Sequence, residues 1–381
     1  MSRNRITYGS QAYFASAAAT STGTGAHAQI RRVQSFGHSE EASSESIQQH
    51  GNTARIGTIV LSSPTVTEDF TYLLGDGYNE AALGFYVQSP TARPNSAGFA
   101  SGHMVTSSGI NIFELVTPEG IDANVLSGPA ALSGYGVNGF GNTFVSNWSL
   151  SAAVGGFPTV SLSLESLNAN HESYACQGPI TGVNTPAISA TLGTPLAQNT
   201  GVRLPIPVVG TGVGIPLALR PGDISISWGS LTGESSTTLS PFYKLAGDDG
   251  IHVQSIDLAI PLSRTPIERL GTRFAYARTL DLPITTTLSV SAIVNEQVRR
   301  NLASAIDDTT EHEVNITINQ PDGSAACIFT MKGARFDSQS SSLDIGGQKT
   351  VDIQMSAQIG SINDTDRGVF MSGSYDGSVF P

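Results

Sequence analysis

Several short stretches of the chain carry residue types that could do chemistry. "NHES" (170–173) sets a histidine beside a glutamate, "GTGVG" (210–214) is glycine-rich, and "GDDG" (247–250) and "DTDRG" (364–368) cluster acids. "NWS" (147–149) has the form of a glycosylation sequon. A His-Glu pair could ligate a metal, a glycine loop could cradle phosphate, and alternating acids could hold calcium. Each falls short on inspection. "GTGVG" lacks the Lys-Ser/Thr of a phosphate loop, and neither acidic cluster brings the bidentate glutamate a calcium loop needs. "NHES" reads as a solvated turn after a strand, and "DTDRG" and "GDDG" as tail and hairpin turns. Without a secretory route the sequon is not read. His27, His38, His50, His103 and His171 fall mostly in loops, with no paired nucleophile motif. There is no GxSxG, HExxH or Ser-x-x-Lys set. The expectation is a protein that is not an enzyme and has no catalytic residues, metal or cofactor.

Bulk composition points the same way. Of 381 residues, only 13% are charged and 39% are hydrophobic, and Gly, Ser, Thr and Asn fill the difference. Such a mixture suits turns, half-buried strands and polar packed interfaces. The net charge of −12 argues against tight wrapping of nucleic acid, which needs clustered Lys and Arg. Cys176 and Cys327 are isolated and are expected to be reduced. The N-terminal stretch has no sustained apolar run, so no signal peptide is expected, and no segment is apolar enough to predict membrane insertion.

The dominant periodicity is two. "TVDIQMSAQIG" alternates Val351, Ile353, Met355, Ala357 and Ile359 with Asp352, Gln354, Ser356 and Gln358. "TVSLSLESL", "HEVNITINQ", "QSIDLAIPL" and "DISISW" alternate likewise, as strands do with one buried and one solvated face. One stretch, "NEQVRRNLASAIDD" (295–308), reads as helix, with Val298, Leu302 and Ile306 on a stripe and Asn295 as N-cap. "YNEAALGFYV" (78–87) reads as a shorter relative sharing the Asn-Glu pair.

These elements recur. Val33-Gln34-Ser35 matches Val253-Gln254-Ser255, Ile47 matches Ile267, and Gly51 matches Gly271. A one-residue slip then aligns Pro64 with Pro283. Strands near 147–154 and 159–168 fall opposite those near 312–319 and 326–337. The division expected is a flexible arm (1–30), a first β domain (31–245), a second (246–360) containing the helix, and a tail (361–381). Two long excursions, about 88–146 and 176–221, interrupt the first domain. Their apolar residues Ile110, Phe113, Leu204 and Ile206, with Phe370 in the tail, are expected at contacts between subunits.

"NWSLSAAVGGFPTVSLSLESLNA", "RPGDISISW" and "VQSIDLAIPLSRTPIERLGTRFAYARTLDLPITTTLSVSAIV" resemble segments of the major tail tube proteins of long-tailed bacteriophages. The resemblance is one of pattern over most of 33–360. It implies a mainly β chain of two tandem tube-like sandwich or barrel domains, each with a flanking helix. It further implies a virion tail component, assembled in the host cytoplasm, that stacks as rings around DNA. Two domains per chain would close a pseudo-sixfold ring as a homotrimer. Partners implied are further copies, tape measure, terminator and baseplate proteins, a sheath in contractile tails, and genomic DNA that slides through unbound. Asp352, Gln354, Ser356, Glu165, Glu313 and Asp257 are the lumen-facing candidates. A baseplate hub or terminator ring of the same fold, and a fibre or adhesin, are the alternative readings.

Overall fold

The computed structural model describes residues 6–17, 27–41, 43–60, 65–88, 98–105, 109–117, 122–123, 133–166, 168–175, 183–184, 203–204, 224–230, 251–267, 277–294, 311–320, 323–343 and 349–373. The described chain is mainly antiparallel β. In order come β1 (Gln11–Ala17), β2 (His27–Ile30), β3 (Val33–Glu41), β4 (Ser44–Ile47), β5 (Gly57–Val60) and β6 (Thr65–Leu73). Then follow α1 (Tyr78–Ala82), β7 (Val87–Gln88), α2 (Ser101–Val105), β8 (Ile110–Val116), β9 (Ser133–Ala153), β10 (Thr159–Ser166) and β11 (Asn168–Ala175). The short β12 (Val183–Asn184) and β13 (Arg203–Leu204) pair with each other. The remainder is β14 (Ile224–Ser230), β15 (Ile251–Pro261), β16 (Arg264–Ile267), β17 (Ala277–Leu280) and β18 (Thr285–Val294). It ends with β19 (His312–Asn319), β20 (Ala325–Ser342), β21 (Thr350–Gln358) and β22 (Gly368–Gly373).

Eight strands form one continuous sheet in the order β3-β6-β10-β9-β15-β18-β21-β20. Alternation builds it: β6 and β21 bury every second residue and expose most of the rest. Phe70, Tyr72, Trp148, Leu150, Val160, Leu162, Ile256, Leu258, Val290, Ile353 and Met355 lie on its covered face in one hydrophobic cluster. β9 and β20 are long enough to serve twice. Their first halves leave this sheet and join β1, β8 and β11, or β14, β19 and β22. Those strands supply the opposing wall, where β8 is buried along its whole length.

The two halves of the chain make the same pairings in the same register. Phe36 faces Phe70 in the first half, and Ile256 faces Val290 in the second, each 220 places on. The hairpin pair Ser44 and Val60 has its counterpart 220 places on, at Arg264 and Leu280. Gln34 and Gln254 are each the extra residue of a β-bulge, between Val33 and Ser35 and between Val253 and Ser255. A second bulge recurs too, at Ser146 of β9 and Asp337 of β20.

Several sequence expectations are corrected. The first 30 residues include β1 and β2, with Phe14 and Ala15 fully covered, because β1 completes β8's hydrogen bonds; they are no arm there. The tail contains β22, which pairs with β20 and buries Val369. Much of 88–146 is sheet and not excursion, since β8 and most of β9 fall inside it. The 220-place displacement persists through β18, so no slip occurs at those pairs. Beyond it, the strand in the place of β9 is β20, and the strand in the place of β10 is β21. Alternating strands look alike, so the sequence alone aligns the two halves one strand out at these positions. The helix expected at 295–308 lies outside the described residues, as does most of 176–221, and α1 is only five residues long.

Candidate functional site: a polar sheet face and two open edges

The uncovered face of the eight-stranded sheet is built almost wholly from short polar side chains. One row runs Ser35, Thr71, Ser161, Ser149, Ala259, Thr287, Ser356 and ends on the exposed Arg335 of β20. The next runs Thr159, Ser151, Asp257, Ser289, Gln354, Ser338. Beyond it Ser291, Asp352 and Ser340 lie abreast. Neighbours bond across the strands. Ser163 donates to Asp69 Oδ1 at 2.8 Å, Ser338 to Gln354 Oε1 at 3.1 Å and Ser356 to Asp337 Oδ1 at 2.9 Å. Such bonds hold short side chains flat on the sheet. Asp257 and Asp352 stand exposed among serines.

Five of the six expected lumen residues share this face, but not equally. Asp257 stands near its middle, in β15, and Asp352, Gln354 and Ser356 line β21, one strand in from the β20 edge. Glu165 sits at one end under the β16–β17 hairpin, paired with the nearly buried Arg278 guanidinium. Arg264 of the same hairpin lies 4.8 Å over the Phe144 ring. Glu313 is elsewhere: β19 belongs to the opposing wall, where Glu313 accepts a hydrogen bond from Asn315 Nδ2 at 3.1 Å. Alternation alone does not say to which layer a strand belongs.

The contact candidates are corrected also. Ile110, Phe113 and Phe370 are covered by the chain's own strands, through β8 between β1 and β9 and through β22 against β20. For Leu204 only the backbone, in β13, is described, and Ile206 lies outside the described residues. What the described residues offer a partner is backbone. β3 pairs on one side only, with β6, and residues 335–342 of β20 pair only with β21. Both are long edges, and exposed edges invite another strand.

The chemistry-bearing stretches resolve as follows. "NWS" lies inside β9 with Trp148 fully buried. In "DTDRG" Asp364 Oδ1 accepts from the backbone N–H groups of Asp366 and Arg367, forming a turn into β22. His103 is buried beside Arg264, and burial lowers its pKa to about 3, so it stays neutral. Cys327 is a buried free thiol. "NHES" is not a turn: it lies within β11, where His171 Nε2 meets Glu40 Oε1 at 2.6 Å. No helix among the described residues is long and apolar enough to cross a membrane.

No family model and no curated protein matches the chain. Among solved structures, it is similar to the SPP1 tail tube, from solid-state NMR and cryo-EM. That match is 13% identical, covers 42% of this chain and 82% of that one, and has a TM-score of 0.23. It is also similar to a chain of the anti-feeding prophage baseplate, from cryo-EM. There the identity is 12%, the coverage 37% and 98%, and the TM-score 0.22. Scores this low carry no weight for fold or function, so the functional reading rests on the chain's own pairings.

Proposed function

We propose that the chain is a structural subunit of a bacteriophage tail tube, built from two tandem copies of one β unit, that closes head to tail into a hollow homotrimeric ring. The observation that carries this reading is the seam inside the chain. There β9, the last strand of the first unit's half-sheet, pairs with β15, the first strand of the second. β3 and the second half of β20 hold those same two positions in their own units and have no strand partner on that side among the described residues. The chain thus carries both halves of a joint it has already made once.

A head-to-tail joint repeated between copies gives a ring if the rotation closes and a filament if it does not. Closure removes every exposed edge of the sheet. Three copies would supply the six units implied by the resemblance to tail tube proteins. The Ser/Thr face would line the bore. It is crowded with hydroxyls and carries Asp257 and Asp352, and Arg335 at its β20 end is paired with Glu311, so it gives phosphates little to grip. Rings stacked on one another extend the bore into a tube.

On this reading the outer joint takes the register of the internal seam. In it Asp257 faces Ser151 and Ala259 faces Ser149. Carrying those pairs to the open edges sets Gly37 opposite Ser342 and Ser39 opposite Ser340. Ser39→Cys combined with Ser340→Cys is therefore expected to give disulfide-linked dimers and trimers on mild oxidation, with nothing larger. Cysteines directly opposite across strands lie within bonding range. Ser39→Cys with Ser341→Cys, on opposite faces, is expected to stay unlinked. A ladder continuing past three would contradict the closed ring, and no linkage in the first variant would contradict the seam.

A further inference from the structure

We propose that His38, Glu40 and His171 bind one divalent transition-metal ion of the zinc class at the open edge of β3. His38 and Glu40 are two residues apart on one strand, so they share a face. His171 arrives from β11, at the edge of the opposing wall. The ligand atoms of the three lie within 4.8 Å of one another. All three side chains are exposed, so an ion can reach them. Two imidazoles and one carboxylate are the donor set of a three-ligand zinc site with an open fourth position. Closing the ligands onto an ion requires the His171–Glu40 hydrogen bond to open and both groups to turn toward the metal. Phe140 forms an apolar floor, its ring centroid 5.2 Å from that of His38 and 6.0 Å from that of His171. An apolar shell of this kind limits water around a bound ion.

The second half of the chain shows how unusual this trio is. Register equivalence sets His38 against Leu258 and Glu40 against Ile260. It sets His171 against Met371, because Asn168 faces Gly141 as Gly368 faces Lys332. Leu258, Ile260 and Met371 are ordinary core, each no more than 1% exposed. An open edge explains why the first-half positions are polar. It does not explain why all three are metal-ligand types converging from two layers. A bound ion would tie β3 to β11 at the edge where the first unit lacks the covering strand that β9 gives β15. The site stands whether or not the chain forms rings.

The test is calorimetric titration of the tag-free full chain with zinc chloride, repeated with His38→Ala, His171→Ala and Glu40→Gln. The expected result is one Zn2+ per chain, at least tenfold weaker in each variant. Substitution with Co2+ is expected to give the intense visible absorption of low-coordinate cobalt, lost in both histidine variants. The three positions are exposed, and circular dichroism checks that each variant keeps its β content. Absence of saturable zinc uptake, or an unchanged affinity in the His171 variant, would overturn the proposal.

Discussion

Glu68 shows how one side chain sets a pH dependence. It lies on the covered face of β6, fully buried, where the equivalent residue in the second half is Leu288. Burial pushes its pKa up to about 8, and a contact with Ser166 offsets this only in part. In the unfolded chain the same carboxyl ionises near its ordinary value of 4.5. Between those values the unfolded chain loses its proton while the folded chain keeps it, so folding loses stability as pH rises from about 4.5 to 8. Glu68→Gln is expected to stabilise the protein by about 3 kcal/mol at pH 7, most of the way through that window, and by almost nothing at pH 4. Urea unfolding of both proteins at the two pH values measures it; equal gains at both would show that the carboxyl is not held neutral. Little of this was legible in sequence. "VTEDF" reads as one more alternating strand, and only the placement of β6 shows that Glu68, and not Asp69, points inward. Glu40 and His171 are likewise separated by 131 residues, and no local motif joins them.

At the scale of elements, period two located the strands well but not their partners. β10, β14, β15, β19 and β21 fall where alternation put them, because each alternates more covered with more open positions. β8 and the first half of β9 were lost within a supposed excursion. Strands with both sides covered, or with glycines such as Gly139 and Gly141, do not alternate. β1 was hidden differently, since Ala and Ser dominate its surroundings and Tyr13 and Phe14 are its only large buried anchors among Ala12, Ala15 and Ser16. Its role predicts a cost. Phe14→Ala is expected to lower the unfolding free energy by about 3–5 kcal/mol, the ordinary range for removing a buried phenylalanine. A mobile arm would give no change in the same denaturant titration.

At the scale of the molecule, one hydrophobic cluster runs through both halves, and a single sheet crosses from one to the other at β9 and β15. The 220-place repeat was visible in sequence because "VQS" marks a bulge that both halves need at the same point. The consequence for assembly was not visible, because it depends on which strands stay unpaired. The internal seam is apolar on its covered side, where Ile260 faces Trp148 and Leu258 faces Leu150. The matching outer positions are Glu40 and Gln339, and His38 and Ser341. In the proposed ring these are the positions that a second copy would cover. The most direct test of the closed-ring account is electron microscopy of the purified full chain, with class averages viewed down the short axis of the particles. Hollow rings of three chains showing six similar lobes are the predicted result. Solid particles without a bore at every concentration would contradict it.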